Sequence, residues 1–382
     1  MNSNKKDILF ISAMKGDPWG GSEEFWFRMA VWMAGNGYNV DCAFYEWPVG
    51  REEKILQLKN AGCKIFLISN SKFAANFFEK LNKKRKAVND VRQLLKKPYN
   101  FVFVSQGGFE EILHHPFKNA LPVLKKFALI YHNYNDDRRL NERRKKRLHE
   151  WTHAASINIA DAARVFTALK KVAGFDVPKQ FVIINPITIS VQQSPAGWPS
   201  LNANGNYVWV MMAQLDITRK AQDILVKALS SKKWQQRNWE LYLYGAGVHK
   251  DVLSELISSS VVKDKIHLAG HTKEVEKVLR QSHLLLQITH IDAMPLSVTE
   301  AMNMSRACVV SKTGDMPLWI QDEINGFVAA TVTEAGIDEV LEKAWEQKDK
   351  WQEQGVAAFE TFRQKYPQLY EAYYEKIFAE LM

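Results

Sequence analysis

An aspartate and a glutamate eight residues apart, Asp292 and Glu300, stand in the run ITHIDAMPLSVTEAMNM (288–304). The apolar stretch LLLQIT (284–289) before Asp292 reads as a strand, and the pattern after Pro295 reads as a helix carrying Glu300. Such a loop and helix start can offer amides to an anionic or hydroxyl-rich ligand while the carboxylates bond hydroxyls. Met294, Leu296 and Ser297 can donate backbone N–H groups there; Pro295 cannot. Spacing alone means little and is more simply a loop aspartate and a solvated helix glutamate. Lys220, next to Arg219, is either a point charge for phosphate or an exposed lysine at a helix start. Gly20-Gly21-Ser22 follows the strand-like DILFISA (7–13) and opens a helix. Glycines there either let backbone approach a ligand beside a helix N-terminus or merely make a tight turn. His132 follows the apolar run FALIY (127–131), a place for a structural or a catalytic histidine, and Ser105-Gln-Gly-Gly108 ends NFVFV (100–104), lining a site or turning the chain.

The elements that must position these residues alternate. Apolar runs at 7–13, 39–45, 63–68, 100–104, 127–131, 156–160 and 181–184 are separated mostly by helix-length segments. Ser22 is the expected N-cap of the first helix, with Glu23 and Glu24 favoured by its dipole and Gly35 and Gly37 ending it. Residues 190–206 (SVQQSPAGWPSLNANGN) hold two Pro, two Gly and no charge, and read as a linker. The alternation restarts at 208–213, 241–245, 265–270, 284–289 and 307–311. The expected fold class is α/β, with two doubly wound, Rossmann-like domains facing a cleft and ligands outside the carboxyl ends of the strands. The boundaries are 1–189, linker 190–206, 207–360 and a closing helix over 361–382.

The 382 residues carry 46% hydrophobic side chains, which excludes a disordered or collagen-like chain. The net charge of +9 conceals an asymmetry: residues 1–190 carry +13 and residues 191–382 carry −4. The basic segments 80–97 and 138–147 fit a solvated face, an anionic membrane surface or nucleic acid. Nucleic acid is the least expected, because no aromatics interleave the charge in a recognisable module. Cys42, Cys63 and Cys308 show no C-x-x-C spacing, which points to a reducing compartment and away from a zinc site. The apolar run near the N-terminus is too short for a signal peptide, and no stretch approaches 18 apolar residues. A cytoplasmic protein is expected, peripheral at the inner face of a membrane if the basic half meets lipid.

Asp292-Ala-Met-Pro-Leu-Ser-Val-Thr-Glu300 resembles the motif of two glutamates separated by seven residues in the retaining glycosyltransferases of family 4, which have the GT-B architecture. Ala307-Cys-Val-Val-Ser, Thr313-Gly314-Asp-Met-Pro-Leu-Trp-Ile320 and Asn325-Gly326-Phe-Val continue the resemblance. Upstream, Ala213-Gln-Leu, Arg219-Lys220, Tyr244-Gly-Ala-Gly247 and Leu268-Ala-Gly270 fall in the same order. The resemblance spans the chain and is most specific over 208–328. It implies a nucleotide-sugar donor held mainly by the C-terminal domain. Glu300 would bond the ribose and Asp292 the transferred sugar, while Lys220, Arg219 and Gln214 lie toward the diphosphate. Gly245 and the amides of Met294, Leu296 and Ser297 complete the donor set. His132 would touch the sugar, with Asn133 and Asp136 as neighbours, and the Gly20-Gly21 loop would lie near the donor phosphates and the acceptor. The closing helix would return to the N-terminal domain.

Three positions depart from the family: Gln214 replaces a usual arginine, Asp292 is a methylene shorter than glutamate, and Ser305 and Ala307 stand where Gly and Pro are common. The resemblance implies a retaining, hexosyltransferase-type enzyme of cell-surface polysaccharide or glycolipid synthesis, acting on a glycan or lipid-linked acceptor. No cofactor and no metal are expected, Asp136-Asp137 being the nearest acidic pairing. Lys220 and loop amides would stabilise the leaving diphosphate. A non-catalytic nucleotide- or glycan-binding protein is the alternative, and a nucleotide-sugar epimerase a third reading.

Overall fold

The computed structural model describes residues 5–16, 19–133 and 138–382. Residues Asp136 and Asp137 therefore lie outside the described part. The chain divides into two compact units, 1–186 with 369–382, and 187–368.

The first unit is built on seven parallel strands: β1 (Asp7–Ser12), β2 (Asn39–Tyr45), β3 (Lys64–Ile68), β4 (Phe101–Gln106), β5 (Phe127–Tyr131), β6 (Ile157–Ala160) and β7 (Gln180–Val182). Their order is β3-β2-β1-β4-β5-β6-β7, so the chain changes direction between β1 and β4. The central strands are buried along nearly their whole length, as expected of a parallel sheet covered on both faces. Helices α1 (Gly21–Gly35), α2 (Glu52–Asn60), α3 (Phe77–Leu94), α4 (Glu142–Ala154) and α5 (Ala163–Ala173) connect them. Gly20, not Ser22, caps α1; Ser22 lies inside the first turn and its hydroxyl donates to Met14 Sδ at 3.0 Å. The basic stretch 138–147 is helical only from Glu142.

The second unit repeats the plan with β8 (Tyr207–Met212), β9 (Trp239–Tyr244), β10 (Ile266–Gly270), β11 (Leu284–Gln287), β12 (Ala307–Ser311) and β13 (Gly326–Ala329), all parallel, in the order β10-β9-β8-β11-β12-β13. The last strand had no counterpart among the apolar runs read from sequence, since only four residues around Phe327 carry it. Its helices are α6 (Ile217–Lys220), α7 (Gln222–Leu229), α8 (Lys232–Gln235), α9 (Lys250–Ser258), α10 (Val275–Arg280), α11 (Leu296–Asn303), α12 (Met316–Trp319), α13 (Glu334–Glu346) and α14 (Trp351–Lys365). A tryptophan-rich core fills one face: Trp209 stacks on Trp239 at 5.1 Å, with Trp234 and Trp351 packed edge-on.

The linker-like residues 190–206 belong to this second unit. Asn303 and Ser305, at the end of α11, accept from the Gln192 and Ala196 amides at 2.9 and 3.0 Å. Arg306 donates to the Gly197 carbonyl at 2.7 Å. An uncharged Pro/Ser/Asn segment lacks helical or strand hydrogen bonds of its own, so side chains of a neighbouring helix satisfy its backbone.

Tyr366-Pro367 ends α14, because the residue before proline is pushed out of the helical region. The next helix, α15 (Tyr370–Leu381), belongs to the first unit. There Phe378 packs edge-on to Phe103 at 4.8 Å, and Tyr38 donates to Glu375 at 2.6 Å.

Candidate functional site

In the second unit the candidate residues come from loops at the carboxyl ends of β8, β9, β11 and β12, around the reversal of strand order between β8 and β11. This is where open parallel sheets bind ligands. Arg219 and Lys220 are the last two residues of α6, not the start of a helix, and Ala221 then turns the chain with a left-handed φ of +48°. The Arg219 carbonyl holds the loop after β11: it accepts from the Thr289 hydroxyl at 2.7 Å and the His290 amide at 2.8 Å. This juxtaposition brings the Lys220 ammonium onto the Asp292 carboxylate in a largely buried ion pair.

The far side of the same loop is fixed by the segment after β12. Thr313 donates to the Thr289 carbonyl at 3.0 Å, and the Asp315 amide donates to the Ala293 carbonyl at 2.9 Å. Between them Gly314 has φ +58°, and a Cβ there would collide with the carbonyls of Asp292 and Ala293. Only glycine suits both the backbone and the space.

Glu300, the fifth residue of α11, is 4% exposed and accepts from Thr188 through the amide at 2.8 Å and the hydroxyl at 2.6 Å. Met294 and Ser297 are also buried, and the Ser297 hydroxyl donates to Gln287 at 3.1 Å. Leu296 opens α11 behind Pro295, which stands at the cap. Gln214 is exposed after β8, and its carbonyl accepts from Gln222 at 2.8 Å. Gly245 lies so close to the Ala213 carbonyl that a Cβ would overlap it, with φ +153°. Lys220, Asp292 and the start of α11 thus occupy one built constellation, with Gln214 and Gly245 on the two neighbouring loops.

The remaining candidates lie in the first unit. His132 is buried just after β5, with Nε2 3.2 Å from the Ser105 hydroxyl and Nδ1 3.3 Å from Asp161 Oδ2. Asn185 donates to the same Asp161 oxygen at 2.9 Å. Gly20 is extended, and a Cβ there would meet only Ser22 Oγ at an ordinary 3.8 Å. Gly21 begins α1. Glu23, expected as a dipole partner, is in fact 1% exposed; it accepts from Ser12 at 2.8 Å and Trp26 at 2.9 Å, with Arg51 4.0 Å away. Burial pushes its carboxyl above the ordinary range, against those two hydrogen bonds.

Sequence reading missed Thr188, Asp161 and Glu23 as partners of this chemistry. Thr188 and Asp161 meet their partners only through long-range folding, and nothing in their local sequence signals it. Glu23 stands three residues before Trp26, a spacing that puts both on one face of α1, and reads from sequence only as a partner of the helix dipole. Among the described residues no group of three or more His, Cys, Asp or Glu could hold a metal ion.

Residues 206–346, within the second unit, match the family described as glycosyl transferases group 1. A curated relative, poly(ribitol-phosphate) alpha-N-acetylglucosaminyltransferase of Staphylococcus aureus (strain COL), is 23% identical over 231 residues, 58% of this chain. The chain spans 43% of that relative's length. Among solved structures, Anabaena HepE in complex with UDP is similar with TM-score 0.71 and 15% identity, covering 98% of this chain and 100% of that one. Sucrose-phosphate synthase from Thermosynechococcus elongatus is similar with TM-score 0.76 and 12% identity, covering 99% of both chains. The fold is the GT-B fold.

Proposed function

We propose that this chain, with a group 1 glycosyl transferase domain in a GT-B fold, is a retaining glycosyltransferase. It moves a sugar from a nucleoside-diphosphate donor to a glycan or lipid-linked acceptor in cell-surface polysaccharide or glycolipid synthesis. The observation that carries the reading is the buried Lys220–Asp292 pair held beside the start of α11 by Gly314 and the Arg219 carbonyl. An ammonium beside amides suits a diphosphate, and the adjoining carboxylates suit hydroxyls.

In transfer, the bond between the anomeric carbon and the diphosphate oxygen breaks while the acceptor oxygen bonds that carbon on the same face. The acceptor proton passes to the departing phosphate oxygen, so no protein nucleophile is needed. Lys220, with Arg219 and the amides of Met294, Leu296 and Ser297, stabilises the charge that develops on the diphosphate. Asp292 holds the sugar and Glu300 the ribose, and Gln214 and Gly245 line the donor loops. In the first unit, His132 is the group assigned to the sugar and the Gly20-Gly21 loop to the acceptor side. The complexes of HepE make uridine diphosphate donors the first to assay. An acceptor at an anionic surface accounts for the +13 carried by residues 1–190, and the reading is of a cytoplasmic protein peripheral to the membrane.

Nucleotide release from UDP-sugars, with and without acceptor, tests the reading. Lys220→Ala and Glu300→Gln should each lower turnover at least about a hundredfold, the range for losing one charge-stabilising group, while the thermal unfolding profile remains cooperative. Wild-type turnover in both variants would overturn the assignment. One observation favours the non-catalytic alternative: the side chains assigned to the donor already bond within the unit, Lys220 to Asp292 and Glu300 to Thr188. Donor binding without release of nucleotide would identify that case.

A further inference from the structure

Helix α3 carries a surface that none of this chemistry uses. Its 18 residues hold six basic side chains and two acidic ones. Both acids are spent on their own unit. Glu79 accepts from the Ala75 amide at 2.6 Å and pairs with Lys83 at 3.2 Å, and Asp90 accepts from the Ser69 amide at 3.0 Å. Ala87, Val91 and Leu94, at spacings of four and three, form the buried face. Lys80, Lys84 and Arg85 stay exposed, and with Glu79 paired to Lys83 the outward charge is predominantly positive.

The first turn of the same helix is apolar and in water. Phe77 and Phe78 are 74% and 77% exposed, edge-on to one another at 6.1 Å, and Leu81 is exposed one turn on. Leaving two adjacent phenylalanines in solvent forgoes the gain of burying them. A soluble polyanion would reward the lysines and ignore the rings. An anionic bilayer rewards both, because lipid headgroups attract the cations while the interface takes up Phe and Leu. Among the described residues no helix is long and apolar enough to cross a membrane, so the mode is interfacial.

We propose that the N-terminal half of α3 docks on anionic phospholipid bilayers, with Phe77, Phe78 and Leu81 inserted at the interface and Lys80, Lys84 and Arg85 against the headgroups. This deepens the reading of an acceptor at an anionic surface, and it is measured by binding, so that it and the transferase reading fail separately. The full chain is sedimented with vesicles of phosphatidylcholine alone or mixed equally with phosphatidylglycerol, at low and high salt. The expected result is a preference for the phosphatidylglycerol vesicles of at least about a hundredfold at low salt, since each basic residue near such a surface is worth about fivefold, shrinking as salt rises. Lys80→Glu with Lys84→Glu and Arg85→Glu should erase the preference. Phe77→Ser with Phe78→Ser should weaken binding about tenfold at both salt concentrations, with nucleotide release in solution unaltered. All five side chains are exposed, and unfolding profiles of both variants should match the wild type. Equal binding to the two vesicle types overturns the proposal. So does wild-type vesicle binding by the phenylalanine variant, which would assign the surface to a charge-reading polyanion site.

Discussion

The candidate donor site rests on a few residues with little freedom. Gly314 combines a left-handed φ with a backbone contact to the loop that carries Asp292. Gly314→Ala must therefore displace that loop. The expected outcome is a loss of nucleotide affinity of about tenfold or more, with stability lowered by about 1–3 kcal/mol for the strained residue and the overlap; calorimetric titration and thermal unfolding measure the two. Ser305, where the resembled family commonly has glycine, has φ +56° and yet accepts the Ala196 amide through its hydroxyl. Serine here exchanges about 1 kcal/mol of backbone strain for a tether on the 190–206 segment. Ser305→Ala keeps the strain and loses the tether, and should cost about 1–2 kcal/mol. Ser305→Gly exchanges one for the other and should fall within about 1 kcal/mol of the wild type.

At the scale of elements, the second sheet contains a pH-sensitive join. His283, fully buried just before β11, accepts the Val208 amide of β8 on Nδ1 at 2.9 Å. Burial, reinforced by the Arg306 guanidinium, depresses its pKa from the usual 6.5 to about 4. A depressed histidine is held neutral by the fold, so its contribution is whole above pH 6.5 and is lost as pH falls toward 4. The melting temperature should decline over that window, and His283→Gln should flatten the decline while lowering stability at neutral pH. A wild-type slope in that variant would show that other groups set the acid sensitivity. The loop elements behave differently from the strands in how far local sequence reveals them. The strand cores were legible because parallel strands buried on both faces must be continuous apolar runs. The position of Lys220 at the end of a four-residue helix was not, since a single turn has too few residues for a helical period.

At the scale of the whole molecule, the chain is not two consecutive halves. Residues 369–382 complete the first unit, where Phe378, fully buried, meets Phe25 and Phe103, and Tyr374 meets Phe25 and Phe181. Phe378→Ala should cost about 3–5 kcal/mol, the range for a buried aromatic, read as a drop in the denaturant midpoint. The +13 of residues 1–190 against −4 beyond them is likewise a property of the whole chain. The acidic residues of α3 bond backbone amides of their own unit, Glu79 that of Ala75 and Asp90 that of Ser69, and its basic side chains outnumber them on the outer surface.

The amino-acid sequence by itself determined the α/β alternation, the order of the loops and the run from Asp292 to Glu300. Each is written locally: strand and helix periods extend over a few residues, and the motif's carboxylates are separated by one short loop and one helical start. Tertiary structure alone decided the partners. Lys220 reaches Asp292 across 72 residues, Thr188 reaches Glu300 across 112, and His132 reaches Asp161 across 29. Parallel strands gather their carboxyl ends at one edge whatever the distance between them along the chain, so side chains with no local relation become neighbours only when the sheet closes.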